Sequence, residues 1–260
     1  MILKLIACEV FYREACLSIA SSPHRVDVEF TEKGAHNESA KLRALLQRKI
    51  DTADGSPRPW DAILLGFGIC GNATIGLEAR STRLVIPRAH DCCTIFLGSR
   101  EKFREHFQDN PSLPFSSVGY AERGWTEGSS AAHSFFHEPG TTTGFLLGGK
   151  TREQYVAEYG EENARYILDT LGASVGHSLS DLKDNRVVFI QIPELARLGY
   201  AERARAEAEA SGRTYVELPG DMRLVRKLVH GEWDPEEFLV VRPGRRISGV
   251  YDWDRIVTEG

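Results

Sequence analysis

Three cysteines of this chain each follow a short apolar segment that is typical of a buried β-strand. Cys8 ends the segment LKLIAC, Cys70 follows AILLGF, and Cys92 follows LVIP within the sequence LVIPRAHDCC. In an open parallel sheet, ligands bind beyond the carboxyl ends of the strands. Thiolates and imidazole are ligands that zinc and iron accept readily. The sequence therefore predicts a zinc or iron site formed by Cys8, Cys70 and Cys92, with His90 as a fourth ligand or as a group that orients one.

The same residues also permit interpretations without a metal. Free cysteine is among the most buried residue types, so each thiol could simply pack in the core. Cys70 could instead be a nucleophile with His90 as its base. Cys92 is predicted at the start of a helix, where a thiol pKa is lowered. Cys16 is predicted to pack within the first helix, and Cys93 points about 100° away from Cys92 on a helix.

Polar side chains that could transfer protons are predicted at the same edge of the sheet. His36 follows the second predicted strand, and His90 and Asp91 follow the fourth. We therefore expect His36, His90 and Asp91 to be the catalytic groups, because imidazole and carboxylate are the usual acids and bases of enzymes. Asp91 is also the expected N-cap of the helix that begins at Cys92.

A glycine-rich turn and a tryptophan are the candidates for holding a cofactor or substrate. The turn is GFGICGNAT, and its glycines allow a tight bend with close approach of the backbone to an anion. It matches neither the dinucleotide fingerprint nor the phosphate loop. A tryptophan in GYAERGWTEG could cover a ligand. The predicted cofactor-binding residues are Gly68, Gly71, Asn72 and Trp125.

The elements that must position these residues alternate between strand and helix in the first part of the chain. This alternation is typical of a parallel sheet with crossover helices. The predicted strands are Leu3–Cys8, Val26–Phe30, Ala62–Phe67 and Leu84–Ile86, and the predicted helices are Phe11–Ser21, Glu38–Ile50 and Cys92–Phe107.

A second alternating region follows an irregular segment rich in glycine, serine, threonine and proline. Its predicted strands are Arg186–Ile192, Thr214–Leu218 and Glu237–Val241, and its predicted helices are Thr151–Gly172, Tyr200–Ser211 and Met222–His230. We therefore expect an α/β protein with parallel sheets, Rossmann-like, in two lobes with a cleft between them. Residues 1–110 would form the N-terminal lobe, 111–150 an irregular insertion or lid, and 151–260 the C-terminal lobe.

Composition narrows the class of protein. The 260 residues include 37 acidic and 32 basic side chains, and a net charge of -5 argues against a dedicated nucleic-acid binder. No apolar run reaches the roughly 18 residues of a membrane span, and the N-terminus lacks the features of a signal peptide. Five cysteines without a CxxC pair argue against a disulfide framework. We expect a soluble, cytoplasmic protein that binds a small-molecule substrate.

Several motifs together resemble the family known as domain of unknown function 1638 (DUF1638). The motifs are ACEV, GAHNESAKLRALLQRKID, GICGN, PRAHDCCTIFLGSREKF, RGWTEG and LPGDMRLVRKLVHGEWDPEEFLVVRPG, which cover most of the chain. The matching residues are Cys8, His36, Asn37, Cys70, Gly71, His90, Asp91, Cys92, Gly124 and Trp125. Cys93 and the stretch His133–Gly148 depart from the pattern.

The resemblance implies a cytoplasmic bacterial or archaeal protein associated with corrinoid-dependent one-carbon metabolism, and it brings no established reaction. A corrinoid would reach the site only through a partner, either a corrinoid protein or a methyltransferase. One hypothesis is an enzyme or enzyme component in which thiolate-bound zinc activates a substrate thiol for methyl transfer. The alternatives are an accessory protein that handles a metal or cofactor without chemistry of its own, and a metal-free cysteine hydrolase.

Overall fold

The structure is a computed structural model that describes residues 1–33, 39–110, 113–123, 161, 185–250, 252 and 254–260. Among these residues, five strands form a sheet in the order β2-β1-β3-β4-β8. The strands are β1 (Ile2–Cys8), β2 (Arg25–Thr31), β3 (Ala62–Gly66), β4 (Leu84–Pro87) and β8 (Phe238–Val241). The pairs β1–β2, β1–β3 and β3–β4 are parallel, which confirms the predicted α/β class with a mainly parallel sheet.

The central strands of this sheet are buried on both faces, as their continuous apolar runs require. Every residue of β3 and β4 is buried. Helices that follow the strands in the chain are α1 (Tyr12–Ala20), α2 (Ser39–Asp54), α3 (Cys92–Leu97) and α4 (Arg100–Phe107). A short 3-10 helix, Glu9–Phe11, lies between β1 and α1.

The region predicted as one helix from Cys92 to Phe107 is two helices. Gly98 ends α3 with a left-handed backbone, φ 77°, and the Ser99 side chain caps α4 by accepting from the Lys102 amide. A glycine in this conformation followed by a capping serine is a strong local stop and start signal. The apolar periodicity continues across the break, so it hid the boundary.

A second group of strands forms a smaller parallel sheet in the order β5-β6-β7. Its strands are β5 (Phe115–Ser117), β6 (Arg186–Gln191) and β7 (Thr214–Pro219). The helices after them are α5 (Val118–Glu122), α6 (Tyr200–Ala210) and α7 (Arg223–His230), and a 3-10 helix spans Pro193–Leu198.

The last strands return the chain to the first sheet. The segment predicted as a final strand of the second half is β8, and it pairs antiparallel with β4. It lies at the edge of the sheet, where a strand needs only one partner and can run in either direction. The hairpin β9 (Ile247–Gly249) and β10 (Val257–Glu259) follows. None of the described helices has the length and apolar character needed to cross a bilayer.

The carboxyl end of β5 is held directly against the carboxyl end of β1. A methyl group placed on Gly119 of α5 would lie 1.6 Å from the carbonyl oxygen of Val10, so no larger residue fits there. Arg13 of α1 forms a bidentate ion pair with Glu122 of α5, at 2.6 Å for the shortest contact. The ends of the two sheets therefore meet, and the residues that follow their strands share one region.

Candidate functional site

The three predicted cysteines lie at the carboxyl edge of the first sheet. Cys8 is the last residue of β1, Cys70 is in the turn after β3, and Cys92 is the first residue of α3 after β4. The strands β1, β3 and β4 are adjacent and parallel, so their carboxyl ends meet at the same edge. Cys8 and Cys92 are buried, and Cys70 is partly accessible.

The turn at Cys70 has an unusual backbone. Cys70, Gly71 and Asn72 have φ values of 48°, 62° and 68°, so three consecutive residues are left-handed. Arg43 of α2 donates from Nη2 to the carbonyl oxygen of Asn72 at 2.7 Å and holds this turn. A left-handed backbone costs a residue with a side chain free energy, and such strain concentrates at functional sites.

Backbone contacts join this turn to the loop after β4. A methyl group placed on Gly68 would lie 2.7 Å from the amide nitrogen of Asp91, so the two loops touch and residue 68 must be glycine. Two hydrogen bonds link the loops, from the Ile69 amide to the Ala89 carbonyl oxygen at 2.9 Å and from the Cys70 amide to the His90 carbonyl oxygen at 3.1 Å. A glycine is therefore needed at position 68 for the two loops to pack closely. This packing explains the glycine, and a bound anion is not needed to account for it.

Asp91 caps α3, as the sequence predicted. Its carboxylate accepts from the Thr94 amide at 3.1 Å and from the Thr94 hydroxyl at 3.3 Å. Burial raises the pKa of Asp91, while the hydrogen bonds from Thr94 oppose that rise. This cap fixes the direction of the first turn of α3 and therefore the position of Cys92.

The three thiols lie near enough to one another to interact electrostatically. Burial raises the pKa of Cys8 to about 12, and burial also raises the pKa of Cys70 and of Cys92. After burial, the charge of Asp91 is the largest cause of the raised pKa of both Cys70 and Cys92. The charge of Cys8 acts on the pKa of both other thiols, and that of Cys70 acts on Cys92. Without a bound cation, all three are therefore neutral thiols at physiological pH.

Two residues that sequence reasoning missed complete the surroundings of the thiols. The hydroxyl of Tyr120 on α5 lies 2.7 Å from Sγ of Cys92. The ammonium group of Lys33 lies 4.9 Å from the centre of the Tyr120 ring. Burial lowers the pKa of Lys33, and the charges of Cys92 and Cys8 oppose this lowering. The thiol cluster, which we define as Cys8, Cys70 and Cys92, thus has a cation and a phenol beside it.

A positional signal for both residues exists in the sequence. Lys33 lies two residues beyond the end of β2, and Thr31 at that end is the register partner of Cys8 on β1. Tyr120 lies three residues beyond the end of β5. Residues beyond the carboxyl ends of parallel strands are site candidates whatever their type. Neither lysine nor tyrosine is a usual ligand of zinc, so residue type alone does not single out Lys33 and Tyr120.

The imidazole of His90 lies against α4. Its ring centre is 5.7 Å from that of Phe103. Burial, followed by the charge of Arg100, lowers the pKa of His90 to about 4, while Asp252 acts in the opposite direction. His90 is therefore neutral at physiological pH, and its carbonyl oxygen accepts a hydrogen bond from the Cys70 amide.

The other candidate residues lie outside the thiol cluster or outside the described part of the chain. Cys16 is exposed on α1, where packing within the helix was predicted, and Cys93 is buried beside Cys92. His36, Asn37, Gly124 and Trp125 lie outside the described residues, as do the predicted helix Thr151–Gly172 and most of the predicted lid. Within the part of the chain that the structure describes, no three histidine, cysteine, aspartate or glutamate side chains are arranged to hold a metal ion.

Comparison with known proteins gives one match. A family model described as a protein of unknown function (DUF1638) matches residues 30–229, which include Lys33, Cys70, Cys92 and Tyr120. No match was found among the curated proteins or among the solved structures.

Proposed function

The chain belongs to the DUF1638 family of proteins of unknown function, so its activity has to be inferred from the site itself, and we propose that it binds a soft metal ion, zinc or iron, through Cys8, Cys70 and Cys92. The observation that supports this proposal most is that three thiols, each at or beyond the carboxyl end of a different strand, lie at one edge of a parallel sheet. Three thiolates are a common partial ligand set for zinc, which is usually four-coordinate. A fourth position would be filled by a substrate, by water or by His90.

The donor chemistry fits a soft cation, and the spacing requires an adjustment. The described donors do not form a ready-made metal group, so binding would draw the thiols together. Because Arg43 and the hydrogen bond to His90 hold the backbone of the Cys70 turn, the adjustment would come from the side chain of Cys70, which is partly accessible. The bound cation would stabilise the thiolates despite their burial, and the thiol protons would be released on binding.

The position of Lys33 favours a metal site with a net negative charge. Three thiolates around a divalent ion carry a net charge of −1, and a buried net charge is costly unless it is paired. The Lys33 ammonium group is close enough for its charge to act on Cys92 and Cys8. It would therefore neutralise the loaded site and favour loading.

For the reaction, we propose methyl transfer to a small-molecule thiol. A thiolate-bound zinc ion supplies a Lewis acid that lowers the pKa of a substrate thiol. The substrate sulfur would then form a bond to the methyl carbon of a corrinoid carried by a partner protein, the carbon–cobalt bond would break, and the electron pair would remain with the corrinoid. The two sheets would form two Rossmann-like lobes with this site between them. The protein would be cytoplasmic, because free thiols persist in a reducing compartment.

The alternatives make different demands on the same residues. A metal-free hydrolase needs the Cys70 thiol and the His90 imidazole in contact, with the imidazole as the base. Neutral thiols without a cation are poor nucleophiles, because the thiolate is the reactive form. An accessory protein would use the same three ligands and differ in having no open coordination position. The metal site is therefore the part of the proposal to test first.

Metal analysis by mass spectrometry tests the proposal. Wild-type protein made in medium supplemented with zinc and iron, and purified without chelators, should carry about one metal ion per chain. Cys70→Ser should lose most of it, because a hydroxyl is a poor ligand for a soft metal. Cys16→Ser is the matched control, since that thiol is exposed on α1, and should retain the metal.

Wild-type protein without stoichiometric zinc or iron would overturn the proposal, and so would Cys70→Ser protein that retains as much metal as the wild type. Circular dichroism of each variant shows whether it is folded. Cys70 is the thiol to replace because it is the most accessible of the three and the least involved in the core.

A further inference from the structure

The phenol of Tyr120 brings a hydrogen-bonding group of the second sheet to the thiol cluster. Its oxygen is 2.7 Å from Sγ of Cys92, and both side chains are buried. While Cys92 is a thiol, either group can donate in this contact. A metal-bound thiolate has no proton, so only the Tyr120 hydroxyl can donate to it. Loading of the proposed metal site would therefore fix the direction of this hydrogen bond.

The ring of Tyr120 is packed in one position by neighbours from both sheets. Phe115 of β5 lies edge-on to it with 5.2 Å between the ring centres, and Phe96 of α3 lies 6.2 Å away. The Ser117 side chain accepts from the Tyr120 amide at 3.4 Å and caps α5. A donor that is already held in place loses little freedom when it forms its hydrogen bond. Tyr120 is therefore preorganised to donate toward Cys92.

The helix that carries Tyr120 is fixed to the first sheet as well. Gly119 lies so close to the Val10 carbonyl oxygen that no larger residue fits. At the end of the helix, Glu122 pairs with Arg13 of α1 and accepts from the Tyr200 hydroxyl at 3.2 Å. These contacts lie on either side of Tyr120 in the sequence and keep the phenol at a constant distance from the thiols.

The ammonium group of Lys33 acts on this phenol. It lies over the ring, 4.9 Å from the ring centre. A cation in this position attracts the electron density of the aromatic face. The hydroxyl of a ring that has lost electron density is a stronger hydrogen-bond donor. Lys33 therefore favours a Cys92 thiolate through the ring as well as through its own charge.

The other two thiols receive hydrogen bonds from the backbone. Burial raises the pKa of Cys8 and of Cys70, and hydrogen bonds from the backbone of Val10 and of Gly68, respectively, oppose these rises. Any sequence with this backbone would supply those two donors. The Tyr120 hydroxyl is a side-chain group, so a single substitution can remove it while the fold of the chain stays the same.

We propose that Tyr120 is a positioning residue of the metal site, whose hydroxyl donates to the Cys92 thiolate when the ion is bound. The inference rests on the metal site proposed above. A hydrogen bond to an ionised acceptor is stronger than one between neutral groups, so this contact stabilises the loaded site more than the empty one. Groups that hydrogen-bond to a metal ligand typically change metal affinity by about 10- to 100-fold when they are removed.

Cobalt(II) is the probe for this proposal, because it replaces zinc in thiolate sites and shows a charge-transfer absorption from sulfur to metal. In Tyr120→Phe this band should move to longer wavelength, since a sulfur without the hydrogen bond gives up electron density more readily. Zinc affinity, measured by competition with a chromogenic chelator, should fall about 10- to 100-fold. Tyr12→Phe, at an exposed tyrosine on α1, should change neither. A ring that only fills space would not move the band.

Tyr120→Phe protein with the band and the zinc affinity of the wild type would overturn this inference and leave the metal site standing. Wild-type protein that takes up neither cobalt nor zinc would overturn the metal site, and this inference with it. Circular dichroism shows whether the variant is folded. If it is not, wild-type chain labelled with 3-fluorotyrosine decides the matter. The fluorinated hydroxyl is a stronger donor and should move the band to shorter wavelength, whereas an unmoved band would contradict the proposal.

Discussion

The hydroxyl of Tyr120 lies 2.7 Å from Sγ of Cys92 and joins the two sheets at the thiol cluster. Cys92 begins α3, which follows the last parallel strand of the first sheet, and Tyr120 lies on α5, which follows β5 of the second. Both side chains are buried. A hydrogen bond between buried groups fixes their relative positions, because each group would lose a hydrogen bond if the two separated.

We predict that Tyr120→Phe lowers the free energy of unfolding by about 1 kcal/mol, because the buried Cys92 thiol loses its partner. Urea denaturation followed by circular dichroism measures this change. Tyr12→Phe, at an exposed tyrosine on α1, should leave stability unchanged. Equal stability of Tyr120→Phe and the wild type would show that the contact contributes nothing.

The second prediction concerns the charge beside the thiols. Lys33→Met should weaken zinc binding by about 10-fold, because the loaded site loses the cation that offsets its net negative charge. Competition with a chromogenic chelator measures this affinity. Lys41→Met removes an exposed lysine from α2 and should have no effect. Unchanged zinc affinity in Lys33→Met would assign Lys33 a role in packing on Tyr120 instead.

Glu14 is a carboxyl group buried in the face of α1 that packs on the core. Its side chain is 1% exposed, and neither oxygen has a hydrogen-bond partner within the described residues. Burial raises the pKa of Glu14 to about 7, from an ordinary value of 4.5. The folded protein therefore prefers the protonated carboxyl, and ionisation of this group opposes folding.

The third prediction is a pH dependence of stability caused by Glu14. Because the folded pKa is raised, the contribution of Glu14 is most favourable below pH 4.5 and is lost as the pH rises toward 7. Glu14→Gln should match the wild type near pH 4 and exceed its free energy of unfolding by about 3 kcal/mol at pH 8. Glu105→Gln, at an exposed glutamate on α4, should show the same difference at both pH values. A constant difference for Glu14→Gln would contradict the prediction.

Much of the local structure could be predicted because its causes are local. The apolar runs that end at Cys8 and precede Cys70 and Cys92 form the strands β1, β3 and β4. Asp91 caps α3 because a carboxylate before a helix accepts from its first amides. The edge of the sheet that carries the thiols followed from the alternation of strands and helices, since parallel strands end together.

Other features depended on pairings between distant segments. Nothing within the β8 segment shows that it joins β4 in the first sheet rather than β7 in the second. The direction of the His90 ring also escaped prediction, because it depends on the packing of α4 against the loop after β4. Side chains only two positions apart in sequence, such as His90 and Cys92, are directed by different neighbours.

By itself, the sequence determined the α/β class, the mainly parallel first sheet, the cap at Asp91 and the edge where Cys8, Cys70 and Cys92 lie, because apolar periodicity and capping act over a few residues. Only the tertiary structure decided that Lys33 and Tyr120 stand beside those thiols. These neighbours come from strands and helices far apart in the chain. Their proximity arises from sheet order and helix packing, which no short stretch of sequence encodes.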